Sequence, residues 1–174
     1  MESKAKILGH PIHQMLIVFP LGLLSTSVIF DLVYWFTNNA TFSEVAFWML
    51  LAGVIGGLAA APFGWIDWFA IKQGTRAKSV GLIHGGGNMI VTGLFALSLV
   101  LRWGDQAGHK PDTFALILSV AGFLLALGTA WLGGELVDRL AIGVDDGAHW
   151  NAPSSLSGRP ASETVSNEDR GKVI

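Results

Sequence analysis

Four long apolar runs, separated by short polar connections, limit what this chain can fold into. A helix needs roughly 20 apolar residues to cross the hydrocarbon layer of a bilayer. The runs at residues 14–36, 45–71, 80–102 and 113–138 all meet that length. Only 14% of the residues are charged, where a soluble domain carries about 25%, and the charges gather in the connections and towards the end of the chain. The expected fold is all-α, a polytopic four-helix membrane bundle within residues 1–150. Residues 151–174 are rich in Ser, Pro, Ala and charge and lack aromatic residues, which predicts a disordered tail. The basic start up to Lys6 resembles a signal peptide. The apolar run after it is too long for one and no small-residue cleavage site closes it, so it is expected to be a retained span.

Composition also excludes chemistry. With no cysteine in the chain, disulfides, thiolate metal sites, iron–sulfur clusters and covalently attached haem are ruled out. No basic block points to nucleic acid. The expected partners are the lipid bilayer and either other membrane redox proteins or a second copy of the chain in a homodimer.

Basic residues predict the orientation. Lys4, Lys6, Lys72, Arg76, Lys78 and Arg139 fall on one side of a four-span arrangement, and only Arg102 and Lys110 on the other. The positive-inside rule then places both termini in the cytoplasm. Tryptophans mark the same boundaries, Trp35, Trp48 and Trp103 at the outer level and Trp65, Trp68 and Trp131 at the inner one. Gly53, Gly56, Gly57 and Gly64 on the second run, and Gly122, Gly128, Gly133 and Gly134 on the fourth, suit close helix packing, because lipid offers no hydrophobic drive for association. Gly85, Gly86 and Gly87 beside His84 could instead clear room for a flat ligand. Pro20 should kink the first helix.

In this topology His10, His13, Asp67, His84, Asn88, Glu135 and Asp138 come from four helices yet share one level of the membrane. Intramembrane ionisable groups are functional candidates by default, and histidine is the commonest metal ligand. His10 and His13 flank Pro11, which fits the first helical position because its missing N–H is not needed there. A His-x-x-His pair alone is a weak metal motif; a third histidine and a carboxylate at equal depth strengthen it. His84 lies about 6–7 Å inside the third helix at 1.5 Å per residue, with Asn88 one turn deeper. Against these ligand roles stand plain ones: a helix cap at His10 or His13, interhelical hydrogen bonds at His84, a partner for Arg76 at Asp67. Glu135 and Asp138 are expected to pair with Arg139 or the loop cations, with a supporting role at the site as the lesser reading. His109 and His149 are expected in solvent.

At the other level the spacing predicts a structural ion pair. His13 and Asp31 are eighteen residues apart, as are His84 and Arg102, and about 3.6 residues per turn puts each pair on one helix face. If the histidines face the interior, Asp31 and Arg102 do so too and join the first and third helices.

The runs Gly9-His10-Pro11-Ile12-His13-Gln14-Met15-Leu16, Phe19-Pro20-Leu21-Gly22, Gly64-Trp65-Ile66-Asp67, His84 to Asn88 and Gly133-Gly134-Glu135-Leu136-Val137 resemble an uncharacterised bacterial membrane family, domain of unknown function 2231. The resemblance covers about residues 8–144. It implies a four-helix protein of the bacterial inner membrane and brings no established activity. Related domains joined to cytochrome c-like modules point towards redox work.

The function expected is binding of a b-type haem, or of a transition metal in a His/carboxylate site, near the cytoplasmic face. His13 and His84 are the principal ligands and His10 and Asp67 further ones. The alternatives are a membrane metallohydrolase using the same three histidines and Asp67 around zinc, and a non-catalytic assembly bundle whose polar residues hold its helices together.

Overall fold

A computed structural model describes residues 1–104 and 108–165. Four helices long and apolar enough to cross a membrane make up the body: Ile12–Thr37, Ala40–Ala70, Arg76–Leu101 and Thr113–Arg139. Each is delimited by local chemistry. Asn38 takes a left-handed φ of 54° and ends the first span, and Asn39 caps the second by accepting from the Thr41 amide at 3.1 Å. Thr75 caps the third span and Asp112 the fourth through their side-chain oxygens. The first span is two helical pieces, Ile12–Leu16 and Val18–Thr37, interrupted at Ile17. Pro20 lacks the amide that would bond to the Leu16 carbonyl, which accounts for an interruption at that turn.

The helices are apolar all round, and few of their residues are buried inside the protein: Phe36 and Phe69 are 82% and 72% exposed. Apolar helices with outward apolar faces belong in lipid. The interior seam is Leu24, Val28, Phe47, Leu50, Val54, Val91, Phe95 and Leu99. The first span packs most extensively on the second and the third on the fourth. Close approach rests on missing side chains: a Cβ at Gly53 would lie 2.6 Å from Leu24, and one at Gly87 2.6 Å from Thr129. Gly87 is thus filled by a neighbouring side chain, Gly85 lies against the Trp65 ring, and Gly86 meets nothing within 4 Å.

At the end of the bundle away from the termini, Asp31 and Arg102 form the pair expected of them. Arg102 Nη1 donates to Asp31 Oδ1 at 2.7 Å and Nη2 to Oδ2 at 3.1 Å, with both side chains fully buried. Arg102 Nη2 also reaches Ser98 Oγ at 2.9 Å, and Ser98 meets Ser119 at 2.8 Å, so the network runs from the first span through the third to the fourth. His109, expected in solvent, stacks on Phe47 at 3.7 Å and donates from Nδ1 to the Arg102 carbonyl at 3.1 Å. An imidazole carries an apolar face as well as polar edges, and Phe47 takes that face.

At the other end the two termini meet. Lys6–Ile7 and His10–Pro11 pair as a short antiparallel hairpin, turned by Leu8 and Gly9 with φ of 50° and 81°. Two successive positive φ values are the signature of a tight primed turn. The Met1 amine donates to the Ala141 carbonyl and the Gly143 amide to the Met1 carbonyl, both at 2.9 Å. The segment after Gly147 folds over the hairpin as far as Val165: Ser155 donates to the Leu8 carbonyl at 3.1 Å, and the Val165 amide to the Asn151 carbonyl at 2.9 Å. Residues 151–165 have backbone partners on the hairpin and within the segment itself. Residues 166–174 lie outside the described residues.

Candidate functional site

His13 and His84 come together at the end of the bundle that carries the termini. Their ring centroids are 6.4 Å apart with planes at 87°. They stand on the first and third spans, and each is held by the helix next to it. His13 Nδ1 donates to the Ala60 carbonyl of the second span at 3.0 Å. His84 Nδ1 donates to the Thr129 carbonyl of the fourth at 2.8 Å. A carbonyl can only accept, so these bonds fix the Nδ1–H tautomer and leave Nε2 as the nitrogen with a lone pair. Metal-ligating histidines are oriented in this way, with the second ring nitrogen donating to a carbonyl or carboxylate.

Glycines make the seats. A Cβ at Gly64 would stand 2.9 Å from His13 Cε1, and one at Gly133 3.1 Å from His84 Cε1. Asn88 adds a polar bracket on the third span. Its Nδ2 donates to the His84 carbonyl at 3.0 Å and lies 3.3 Å from His84 Nε2, while its Oδ1 accepts from Thr129 Oγ1 at 2.9 Å. Thr129 therefore meets His84 through its carbonyl and Asn88 through its hydroxyl. His13 Nε2 has no hydrogen-bond partner among the described residues, and no buried polar side-chain atom among them lacks one, so this nitrogen is not sealed into the protein.

The other expected site residues have partners of their own. Asp67 is taken by the N-terminal segment: Ser3 Oγ lies 2.9 and 2.7 Å from its two oxygens, and the Lys4 amide donates to Oδ1 at 2.6 Å. His10 sits in the exposed hairpin with Nε2 3.3 Å from Ser155 Oγ. Glu135 accepts from Arg76 Nη2 at 2.6 Å, a pair between the third and fourth spans, and Asp138 is exposed. Among the described residues no group of three His, Asp or Glu side chains is placed to hold a metal ion.

Some contributors carry no sequence signal. The Ala60 and Thr129 carbonyls are backbone groups, which any residue supplies. Ser3, buried under Asp67, precedes the first span in a stretch that reads as a polar leader. Lys78 is also buried: its Nζ donates to the Trp68 carbonyl at 2.7 Å and lies 3.8 Å from the Trp68 ring centre. A cation there caps the carbonyl end of the second span and gains from the aromatic face.

Four apolar spans closed by a polar cap define an integral membrane bundle. The sequence pattern of the family described as "predicted membrane protein (DUF2231)" matches residues 9–146, and the chain belongs to that family. No curated protein and no solved structure matches the chain.

Proposed function

We propose that this protein is a membrane redox carrier that holds a b-type haem between His13 and His84. The observation that carries this reading is the pair of imidazoles 6.4 Å apart, each with Nδ1 engaged by a backbone carbonyl. Two imidazole donors favour haem, which would need no further protein ligands. Zinc in a hydrolase would need three protein ligands and a water, and Asp67 and His10 are engaged elsewhere. A bound haem supplies one-electron transfer. Of the chain's own groups, His13 and His84 would hold the haem iron. The Ala60 and Thr129 carbonyls orient them, Gly64 and Gly133 leave them room, and Asn88 steadies His84. The distribution of basic residues supports placing this site at the cytoplasmic side of the bacterial inner membrane, with both termini inside.

Haem content by the pyridine haemochrome method, with elemental analysis of the same sample, tests the proposal on protein expressed with added haem precursor and purified in mild detergent. The wild type should carry about one haem per chain, by the one bis-histidine site, and His13→Ala and His84→Ala should lose it. Copper or iron without haem would replace the haem by a bare ion on the same two imidazoles.

A second reading rests on the same hydrogen bonds. His13 ties the first span to the second and His84 ties the third to the fourth, so the pair could serve the bundle alone. Protein free of haem and metal, with both alanine variants folded only at reduced stability, would favour that reading.

A further inference from the structure

Where the tail folds over the hairpin, a half-open cavity of about 310 Å³ lies between them. This is within the size range of small-ligand sites. Its polar lining is His10, Gln14, Asp145, Ser155 and Arg159. None of these belongs to the His13–His84 site. Pro11 and Gln14 also line it, and they stand at the start of the first span, so the cavity opens where that helix leaves the apolar layer. In a bilayer this is the level of the lipid headgroups.

The surroundings suit the same level. Leu8, Trp150 and Leu156 lie outside the spans, yet are 71%, 103% and 72% exposed. Each is within two residues of a lining residue: Leu8 of Gly9, Trp150 of Ala148 and Ala152, Leu156 of Ser155. Exposed leucine and tryptophan beside polar groups are characteristic of segments that rest in the membrane interface.

Charge selects the ligand. Arg159 donates through Nε to Glu163 at 2.7 Å, and its two terminal nitrogens make no other hydrogen bond among the described residues. They can hold a phosphate oxygen, as arginine does through its fork of N–H groups. Asp145 binds Lys6 through Oδ1, and its Oδ2 makes no hydrogen bond among the described residues. The Arg159 guanidinium, paired with Glu163, and the Asp145 carboxylate, paired with Lys6, each keep unfilled atoms, donors on one and an acceptor on the other, which complement a ligand with an acceptor phosphate and a donor ammonium. We propose that the cavity binds the headgroup of a phospholipid bearing a phosphodiester and an ammonium, with Arg159, Gln14 and Ser155 towards the phosphate and Asp145 towards the ammonium.

Native mass spectrometry of the full chain, exchanged into mixed micelles with equal amounts of phosphatidylethanolamine, phosphatidylglycerol and phosphatidylcholine, tests this. The expected result is one retained phosphatidylethanolamine, weakened about tenfold or more by Arg159→Ala, since a charge-assisted contact is lost. Asp145→Asn should abolish the preference for phosphatidylethanolamine over phosphatidylglycerol. Lys6→Gln breaks the same Lys6–Asp145 pair without removing a lining residue, so the loss of preference in Asp145→Asn beyond that in Lys6→Gln measures the carboxylate apart from loosening of the cap. Equal retention of the three lipids, or an unchanged Arg159→Ala, would overturn the proposal. So would soluble glycerophosphoethanolamine that displaces the lipid at comparable concentration, since the ligand would then be a free phosphodiester.

Discussion

His13 is held from two sides, by the Ala60 carbonyl and by the backbone of Gly64. A methyl group at position 64 would meet Cε1 at 2.9 Å, and the ring cannot retreat without stretching its hydrogen bond. Gly64→Ala should therefore lower haem or metal occupancy severalfold and cost about 1–3 kcal/mol, the usual range for overpacking. Gly86→Ala, with nothing within 4 Å, should change neither; parallel occupancy and unfolding measurements separate the two. The buried Asp31–Arg102 pair gives a second expectation. Asp31→Ala leaves a buried guanidinium without its carboxylate and should cost about 3–5 kcal/mol in a detergent unfolding titration. Exchange of the two residues, Asp31→Arg with Arg102→Asp, should recover part of that loss, and no recovery would count against the pair. Both charges are legible in the sequence because a five-turn spacing ties each to a histidine on its own helix. The partners of His13 and His84 are not, since backbone carbonyls look alike in any sequence.

The four spans are legible as elements because length and apolarity alone define them. The expected run 14–36 becomes Ile12–Thr37 and 45–71 becomes Ala40–Ala70. The added turns come from caps: Asn39 starts the second span before its apolar run begins, and Thr75 does so for the third. The terminal cap is less legible, since a two-strand hairpin and a polar tail bury little apolar surface and are marked chiefly by turn glycines, Gly9, Gly143, Gly147 and Gly158. Charge pairs fasten this cap. Lys6 bonds Asp145 and Glu2, and the Glu2 side chain also accepts from the Asp146 amide at 3.3 Å. The Lys6 ammonium holds the Glu2 carboxyl below its ordinary 4.5, and Asp145 ahead of Glu2 holds Lys6 above its ordinary 10.5. The Glu2 contribution is therefore present above the ordinary carboxylate range and lost as pH falls through the depressed value. The Lys6 contribution is present below 10.5 and lost as pH rises through the raised value. Hydrogen exchange of residues 141–150, corrected for intrinsic rate, should be slow between about pH 5 and 10 and accelerate below that window. Acceleration should appear at neutral pH in Lys6→Gln, and its absence there would detach the cap from these pairs.

At the scale of the whole molecule, the bundle carries two polar levels separated by a small-residue and apolar seam. One is a sealed ion pair far from the termini, and the other is the histidine pair beneath the cap. A chain without cysteine is suited to testing which level faces the cytoplasm. Single cysteines at Ser157 and at Asn38 should react differently with an impermeant maleimide applied to intact cells, Asn38 labelled and Ser157 protected. The reverse pattern would invert the topology and place the histidines at the outer face. The expected depth of the polar residues follows from span boundaries in the sequence, while contact depends on which neighbour claims each side chain. Ser3 claims Asp67, Ser155 stands beside His10, and Arg76 claims Glu135, leaving His13 and His84 as the pair. The most direct measurement is the reduced-minus-oxidised absorption spectrum of haem-supplemented wild type beside His13→Ala and His84→Ala. The bis-histidine account predicts a Soret band that shifts on reduction in the wild type and is absent from both variants. A spectrum without haem bands in the wild type, or bands that survive either substitution, would contradict it.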